Sequence, residues 1–152
     1  MRFAEAADIE AITALVNAAF RPERFFIDGD RTNSEKVAAL LQKGKFILFF
    51  EAEVLAACVY VELREGRGYF GLLAVDPTRQ RNGLGSQAIA TAENYCREAG
   101  CRFMDLTFVN VRQELPGYYR RFGYAENGVL PFPRDQAPPK QPVHLVRMSK
   151  AL

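Results

Sequence analysis

Two glycines, Gly83 and Gly85, follow Gln80-Arg81-Asn82 and open a stretch with helical spacing. Neither has a Cβ, so the backbone there can adopt unusual φ/ψ values and let a ligand approach closely. Free amides at a helix start, reinforced by the helix dipole, form an anion site. Arg79 and Arg81 add positive charge at its rim. The chemistry this predicts is a cradle for a diphosphate. Further along, Tyr118 and Tyr119 either pack a short helix, the commoner fate of aromatics, or offer a phenol as a proton donor.

The cradle needs a strand before it and a helix after it. Tyr69 to Val75 supplies the strand and Asp76-Pro77 the turn. Gly83 to Ala99 supplies the helix, with Leu84, Ala88, Ile89, Ala92, Tyr95 and Ala99 inward and Gly100 at the C′ position. Upstream, Met1 to Ala4 reads as a short strand. A helix with Ile9, Ile12, Leu15, Val16, Ala19 and Phe20 on one face follows, with Asp8 placed to cap it. Arg21 to Asn33 is polar and reads as a loop, and a second amphipathic helix follows Ser34. Phe46 to Phe50 and Val54 to Leu63 are strands joined by a hairpin at Glu51-Ala52-Glu53, and Gly66 and Gly68 precede the next strand. Three strands joined by short turns imply an antiparallel meander.

Beyond the long helix, Phe103 to Val109 is extended and Leu115 to Phe122 is a short helix with Pro116 in its first turn. Tyr124 to Val129 and Val143 to Ser149 are late strands. The connection between them, Leu130 to Pro142, holds five of the eight prolines and is irregular. The pattern predicts an α+β domain with a mixed, mostly antiparallel sheet.

At 152 residues the chain is expected to be one domain, 1–152, able to bury a core without staples. Hydrophobic residues at 49% and charged residues at 25% are ordinary globular values and exclude disorder. A net charge of +2 gives no support for a nucleic-acid or membrane partner. There is no apolar run of about 18 residues, and the acidic opening MRFAEAAD does not resemble an export signal. Cys58, Cys96 and Cys101 form no CxxC and are expected to be reduced thiols in a cytoplasmic protein, with Cys96 and Cys101 packed. The single histidine, His144, stands outside any ligand-spaced cluster, so no metal is expected.

Two families of ligand fit the glycine loop. Gly83-x-Gly85-x-x-Ala88 matches a dinucleotide fingerprint with Asp105 downstream. The context opposes it: Asp76 to Asn82 separates the strand from the first glycine, and Asp105 sits near the start of its strand rather than its end. The other match is broader. Val75-Asp76-Pro77 followed by Gln80-Arg81-Asn82-Gly83-Leu84-Gly85 resembles the [Q/R]-x-x-G-x-[G/A] signature of the GNAT superfamily of acyl-CoA-dependent N-acyltransferases. Tyr119-Arg120-Arg121-Phe122-Gly123-Tyr124 resembles that family's Y-x-x-x-G-[F/Y], and Arg2-Phe3-Ala4 with Asp8 resembles its opening. The resemblance covers nearly the whole chain in element order.

That resemblance implies about seven strands splayed near the middle of the sheet and about four flanking helices. It implies acetyl-CoA as acyl donor, with amides in Arg81, Asn82, Gly83, Leu84, Gly85 and Ser86 on the pyrophosphate and Gln80 shaping the turn. Leu73, Ala74 and Val75 would pair with the pantetheine arm like an added strand. The sheet would open beyond Val75, between it and the Phe103 to Val109 strand. Asn110 would contact the arm, or else only satisfy a turn, and Tyr119 would stand near the thioester sulfur. The acceptor would be a primary amine on a small molecule or peptide, walled by segments holding Arg21, Arg24, Asp28, Arg31, Phe25, Phe26 and Phe132. A homodimer is compatible with the family.

The proton acceptor stays open. Some members carry an acid on the strand equivalent to Tyr69 to Val75, and none occurs here. Glu62, Glu65, His144 and a water chain are the candidates. The missing acid also supports a second function, a non-catalytic acyl-CoA-binding module.

Overall fold

The computed structural model describes residues 1–152 apart from Arg81. Seven strands form one sheet in the order β1-β2-β3-β4-β5-β7-β6, antiparallel throughout except for the parallel β4–β5 pair. The strands are β1 (Arg2–Phe3), β2 (Lys45–Glu51), β3 (Val54–Arg64), β4 (Arg67–Val75), β5 (Phe103–Val109), β6 (Ala125–Pro131) and β7 (His144–Ala151). Four helices flank them: α1 (Ile9–Ala19), α2 (Ser34–Lys43), α3 (Leu84–Glu98) and α4 (Leu115–Arg120). The expected α+β class and mixed sheet are what the chain forms. The segment expected as a plain loop after α1 contains a 3₁₀ turn at Arg21–Phe25. Among the described residues no helix is long and apolar enough to cross a membrane.

Helical periodicity sorts the apolar residues onto the two faces of the sheet. On one face, Ile12 and Val16 of α1 and Val37 of α2 bury against Phe46, Leu48 and Cys58. On the other, Ala88, Ile89 and Ala92 of α3 bury against Ile47, Val59, Phe70 and Met104. The hairpins are tight because their loop residues adopt positive φ: Ala52 and Glu53 between β2 and β3, Glu65 and Gly66 between β3 and β4. That backbone twist matches the twist of paired strands. Asp8 does not cap α1 with its side chain. Its carboxylate instead accepts two bonds from the Arg2 guanidinium at 2.8 Å and one from the Glu5 amide at 2.7 Å. The α2 cap is Asn33, whose Oδ1 accepts from Lys36 N at 2.9 Å.

Two features of β4 position the site. First, Gly71 pairs with Tyr60 and Ala74 with Cys58, so Leu72 and Leu73 together oppose Val59. Leu72 has φ 47 and forms the extra residue of a β-bulge. Before it, Phe70 faces α3; after it, Leu73 and Val75 do, while Leu72 and Ala74 face α1. Second, β4 and β5 pair only at Arg67–Phe103, Gly68–Met104 and Tyr69–Asp105. The opening therefore begins after Tyr69, earlier than the expected point beyond Val75. The bulge bends β4 away from β5 and leaves its later main-chain groups unpaired on that side.

Candidate active site

The gap between β4 and β5 is part of a cavity of about 1300 Å³ that reaches from the start of α3 to the α1–α2 segment. Gln80, Gly83, Leu84, Gly85 and Ser86 line its one end, and Leu73 and Val75 its wall. Gly83 is the N-cap of α3 with φ 75, which only the lack of a Cβ makes free of strain. Gly85 is required for another reason: a Cβ there would lie 2.7 Å from the Tyr118 hydroxyl. The first ladder bond of α3 runs from Gln87 N–H to Gly83 O at 3.0 Å. The amides of Leu84, Gly85 and Ser86 thus precede the intrahelical ladder and are available to an anion. Asn82 is exposed and outside the lining. The expectation for Arg81 falls outside the described residues.

The turn before the cradle is built by Asp76, whose Oδ1 accepts from Thr78 N at 2.9 Å and Thr78 Oγ1 at 2.7 Å. Those bonds hold its carboxyl below the usual range, together with the Arg79 charge. Arg79 itself is tied to Glu51 at 3.2 Å and Asp76 at 3.8 Å, so it secures the turn and does not line the cavity. A cation the sequence did not single out, Arg121, lines the cavity and lies over the Tyr118 ring at 5.2 Å.

Tyr119 projects from α4 into the same cavity. Its ring is walled by Tyr118 at 5.2 Å, Phe70 at 6.1 Å, Phe108 at 6.3 Å and Tyr124 at 6.4 Å. Burial among these rings pushes its phenol well above the ordinary range, with the Tyr118 neighbour adding and Arg112 opposing. The group stays protonated at any physiological pH and can serve as a donor, not as a base. Behind it, Tyr124 Oη donates to Glu93 Oε2 at 2.7 Å, and Lys150 Nζ approaches Glu93 Oε1 at 3.0 Å. This brace ties α3 to β7 and fixes one wall of the tyrosine.

Ala74 is buried toward α1 and only its main chain can serve the cavity. Asn110, just past β5, has Oδ1 engaged by His144 N at 2.9 Å while its own amide donates to His144 O at 2.9 Å. This pair clamps the end of β5 to the start of β7. Among the base candidates, Glu62 lines the cavity whereas Glu65 and His144 do not. Glu62 is nevertheless well satisfied, accepting from Tyr60 Oη at 2.6 Å and Arg64 Nε at 2.8 Å. Burial raises its pKa but the Arg64 and Tyr60 bonds outweigh that, so the net shift is downward.

Two further residues in the cavity escaped the sequence. Tyr69, at the last β4–β5 rung, lies with its hydroxyl against Gly71, where a Cβ would meet it at 2.7 Å. The Arg64 guanidinium stacks on its ring at 4.0 Å. Glu23, in the 3₁₀ turn after α1, is buried and bound to Arg112 Nη1 at 2.9 Å, with Arg31 Nε at 4.0 Å. No pattern in Arg21 to Asn33 separates a buried acid from a solvated one. Of the expected acceptor walls, Arg24, Phe26, Arg31 and Phe132 line the cavity, whereas Arg21, Phe25 and Asp28 do not. A strap closes this end: Lys140 N donates to Phe26 O at 2.6 Å, and Lys140 Nζ pairs with Asp28 at 3.0 Å.

The cysteines are packed thiols: burial pushes Cys58 and Cys96 up to about 12, and none of the three lines the cavity. Among the described residues there is no group of three His, Cys, Asp or Glu side chains able to hold a metal ion.

Comparison with solved structures supports the topology. The ribosomal-protein-alanine N-acetyltransferase of Brucella melitensis superposes with a TM-score of 0.78 at 16% identity, covering 99% of this chain and 98% of that one. Ard1 of Thermoplasma volcanium gives 0.79 at 16% identity, covering 99% and 95%. A GNAT family acetyltransferase of Elizabethkingia anophelis with acetyl-CoA bound gives 0.66 at 12% identity, covering 78% and 82%. A sequence comparison with curated proteins gives no match. The acetyltransferase (GNAT) family matches residues 9–124, from the start of α1 through Tyr124. With the glycine cradle, the bulged and splayed β4 and the family match all in register, the chain belongs to the GNAT family of acetyltransferases.

Proposed function

We propose that the chain moves an acetyl group from acetyl-CoA directly to a primary amine of its acceptor, as a single domain over 1–152 in the reducing cytoplasm. One observation carries this: a single cavity joins the free amides at the start of α3, the unpaired edge of β4, the Tyr119 phenol and the α1–α2 segment. A donor and an acceptor can therefore meet at the opening of the sheet. The similar structure holding acetyl-CoA and the similar enzyme acting on ribosomal-protein alanine support the choice of donor and of an amine.

In this reading the Leu84, Gly85 and Ser86 amides, with Gln80, Arg81, Asn82 and Gly83 in the same loop, hold the pyrophosphate. The main chain of Leu73, Ala74 and Val75 pairs with the pantetheine arm. Asn110 contributes to the arm through Nδ2 alone, because Oδ1 is engaged by His144. The leaving thiolate has a pKa of about 8.5, and Tyr119 donates a proton to it. Such donation gives about 10²–10⁴-fold, while holding the two reactants in place is worth ~7–11 kcal/mol. Positioning is the larger contribution. Direct transfer is favoured over an acyl-enzyme, because no cysteine borders the cavity.

The test is incubation with acetyl-CoA and a panel of amines, following thiol release. A second reading, a non-catalytic acyl-CoA-binding module, is favoured by the lack of any acid between Arg67 and Val75. Acetyl-CoA binding without release on any amine would select it.

A further inference from the structure

Amine acetylation needs a proton acceptor, because an alkyl ammonium has a pKa near ~10. The strand at the opening supplies none, since β4 contains no aspartate or glutamate. The acids lining the cavity are Glu23, Asp30, Glu62, Glu114 and Asp135. Asp30 and Glu114 have side chains 61% and 62% exposed, each beside an arginine, and Asp135 is exposed in the β6–β7 loop. Glu62 has one oxygen on Tyr60 and the other on Arg64.

Glu23 differs from all of these. Its side chain is only 9% exposed, yet it borders the cavity. Oε2 accepts from Arg112 at 2.9 Å, and the nearest cation to Oε1 is Arg31 at 4.0 Å, beyond hydrogen-bond reach. One oxygen is thus fixed and the other is left for a ligand cation. Glu23 and Arg112 line the same cavity as Tyr119.

We propose that Glu23 is the catalytic base: its Oε1 binds the acceptor's ammonium and takes its proton, while Arg112 holds Oε2. This rests on the acetyl-transfer reading and names its missing group. The ammonium gives one proton to Glu23, which passes it to water. The neutral nitrogen attacks the thioester carbonyl, the C–N bond forms and the C–S bond breaks. Tyr119 protonates the departing sulfur, and the second proton lost from nitrogen restores the phenol. The products are an amide, a free thiol and one proton. Burial raises the proton affinity of Glu23 despite Arg31 and Arg112, with Glu114 adding to the rise, which suits a base better than a solvated carboxylate does.

The experiment compares wild type, Glu23→Gln and Glu23→Asp with acetyl-CoA and the best of tyramine, spermidine and an N-terminal-alanine peptide, from pH 6 to pH 10. Glu23→Gln keeps an acceptor for Arg112, and Glu23→Asp keeps the charge. The expected result is a kcat loss of about 10²–10³-fold for Glu23→Gln at pH 7, shrinking as pH rises and free amine accumulates. Acetyl-CoA affinity should stay within about twofold, and Glu23→Asp should recover the shape of the wild-type pH profile. A Glu23→Gln rate within about threefold of wild type at every pH, or an equal loss at every pH, overturns the assignment. Wild-type inactivity on all three amines overturns the acetyl-transfer reading beneath it, a separate result.

Discussion

The hydroxyl of Tyr118 lies 2.7 Å from where a β-carbon of residue 85 would be, so Gly85 and Tyr118 join the start of α3 to α4 by direct contact. The glycine-bearing start of α3 and the helix carrying Tyr119 are therefore in direct contact. Gly85→Ala should push Tyr118 off the cradle and weaken acetyl-CoA binding about tenfold, ~1.4 kcal/mol. Calorimetric titration measures this. Gly85→Ala in a Tyr118→Phe background should bind more tightly than Gly85→Ala alone, because the clashing oxygen is gone.

Tyr119→Phe keeps the ring contacts with Phe70, Phe108 and Tyr124 and removes only the hydroxyl. We expect kcat to fall by about 10²–10⁴-fold with acetyl-CoA affinity nearly unchanged. Steady-state kinetics on the best amine decides it. An unchanged kcat would remove Tyr119 from the chemistry.

Asp8 gives a prediction in acid. The Arg2 guanidinium and the Glu5 amide lower its carboxyl to about 2, against about 3.9 in an unfolded chain. A depressed folded pKa contributes stability that is present above about pH 4 and lost as pH falls toward 2. Asp8→Asn should therefore lose Tm relative to wild type at pH 6, with the gap closing by pH 2. Melting curves across that range test it.

The Tyr124–Glu93 bond lies in the interior. Tyr124→Phe removes one partner of a buried carboxylate that keeps Lys150. The cost should be about 1–3 kcal/mol, read as a lower urea midpoint. A smaller drop in kcat should accompany it, since Tyr124 also walls Tyr119.

The elements themselves were legible because local rules fix them: periodicity gave the faces of α1 and α3, and Gly83 marked the start of α3. Legibility ended where two distant segments meet. Asp8 stands at a helix start, yet Arg2 draws its carboxylate away. Asn110 lies at the end of the right strand, yet β7 brings His144 N to its Oδ1. Glu23 lies in a run of arginines and acids, and only the Arg112 contact from the β5–α4 connection marks it as buried. The sheet opening came earlier than expected for the same reason: the bulge arises from pairing with β3, and its positive φ falls on Leu72 rather than on the adjacent Gly71.

That bulge makes β4 a strand written in two frames. Upstream of Leu72 the even-numbered residues belong to the α3 side; downstream the odd-numbered ones do. Deleting Leu72 alone would merge the frames: with Leu73 directly after Gly71, strict alternation keeps Leu73 toward α3 and Ala74 toward α1. The hairpin to β3 would survive, but the strand's free edge would no longer bend from β5. One residue of chain length, with no change of side-chain chemistry, separates an open sheet from a closed one.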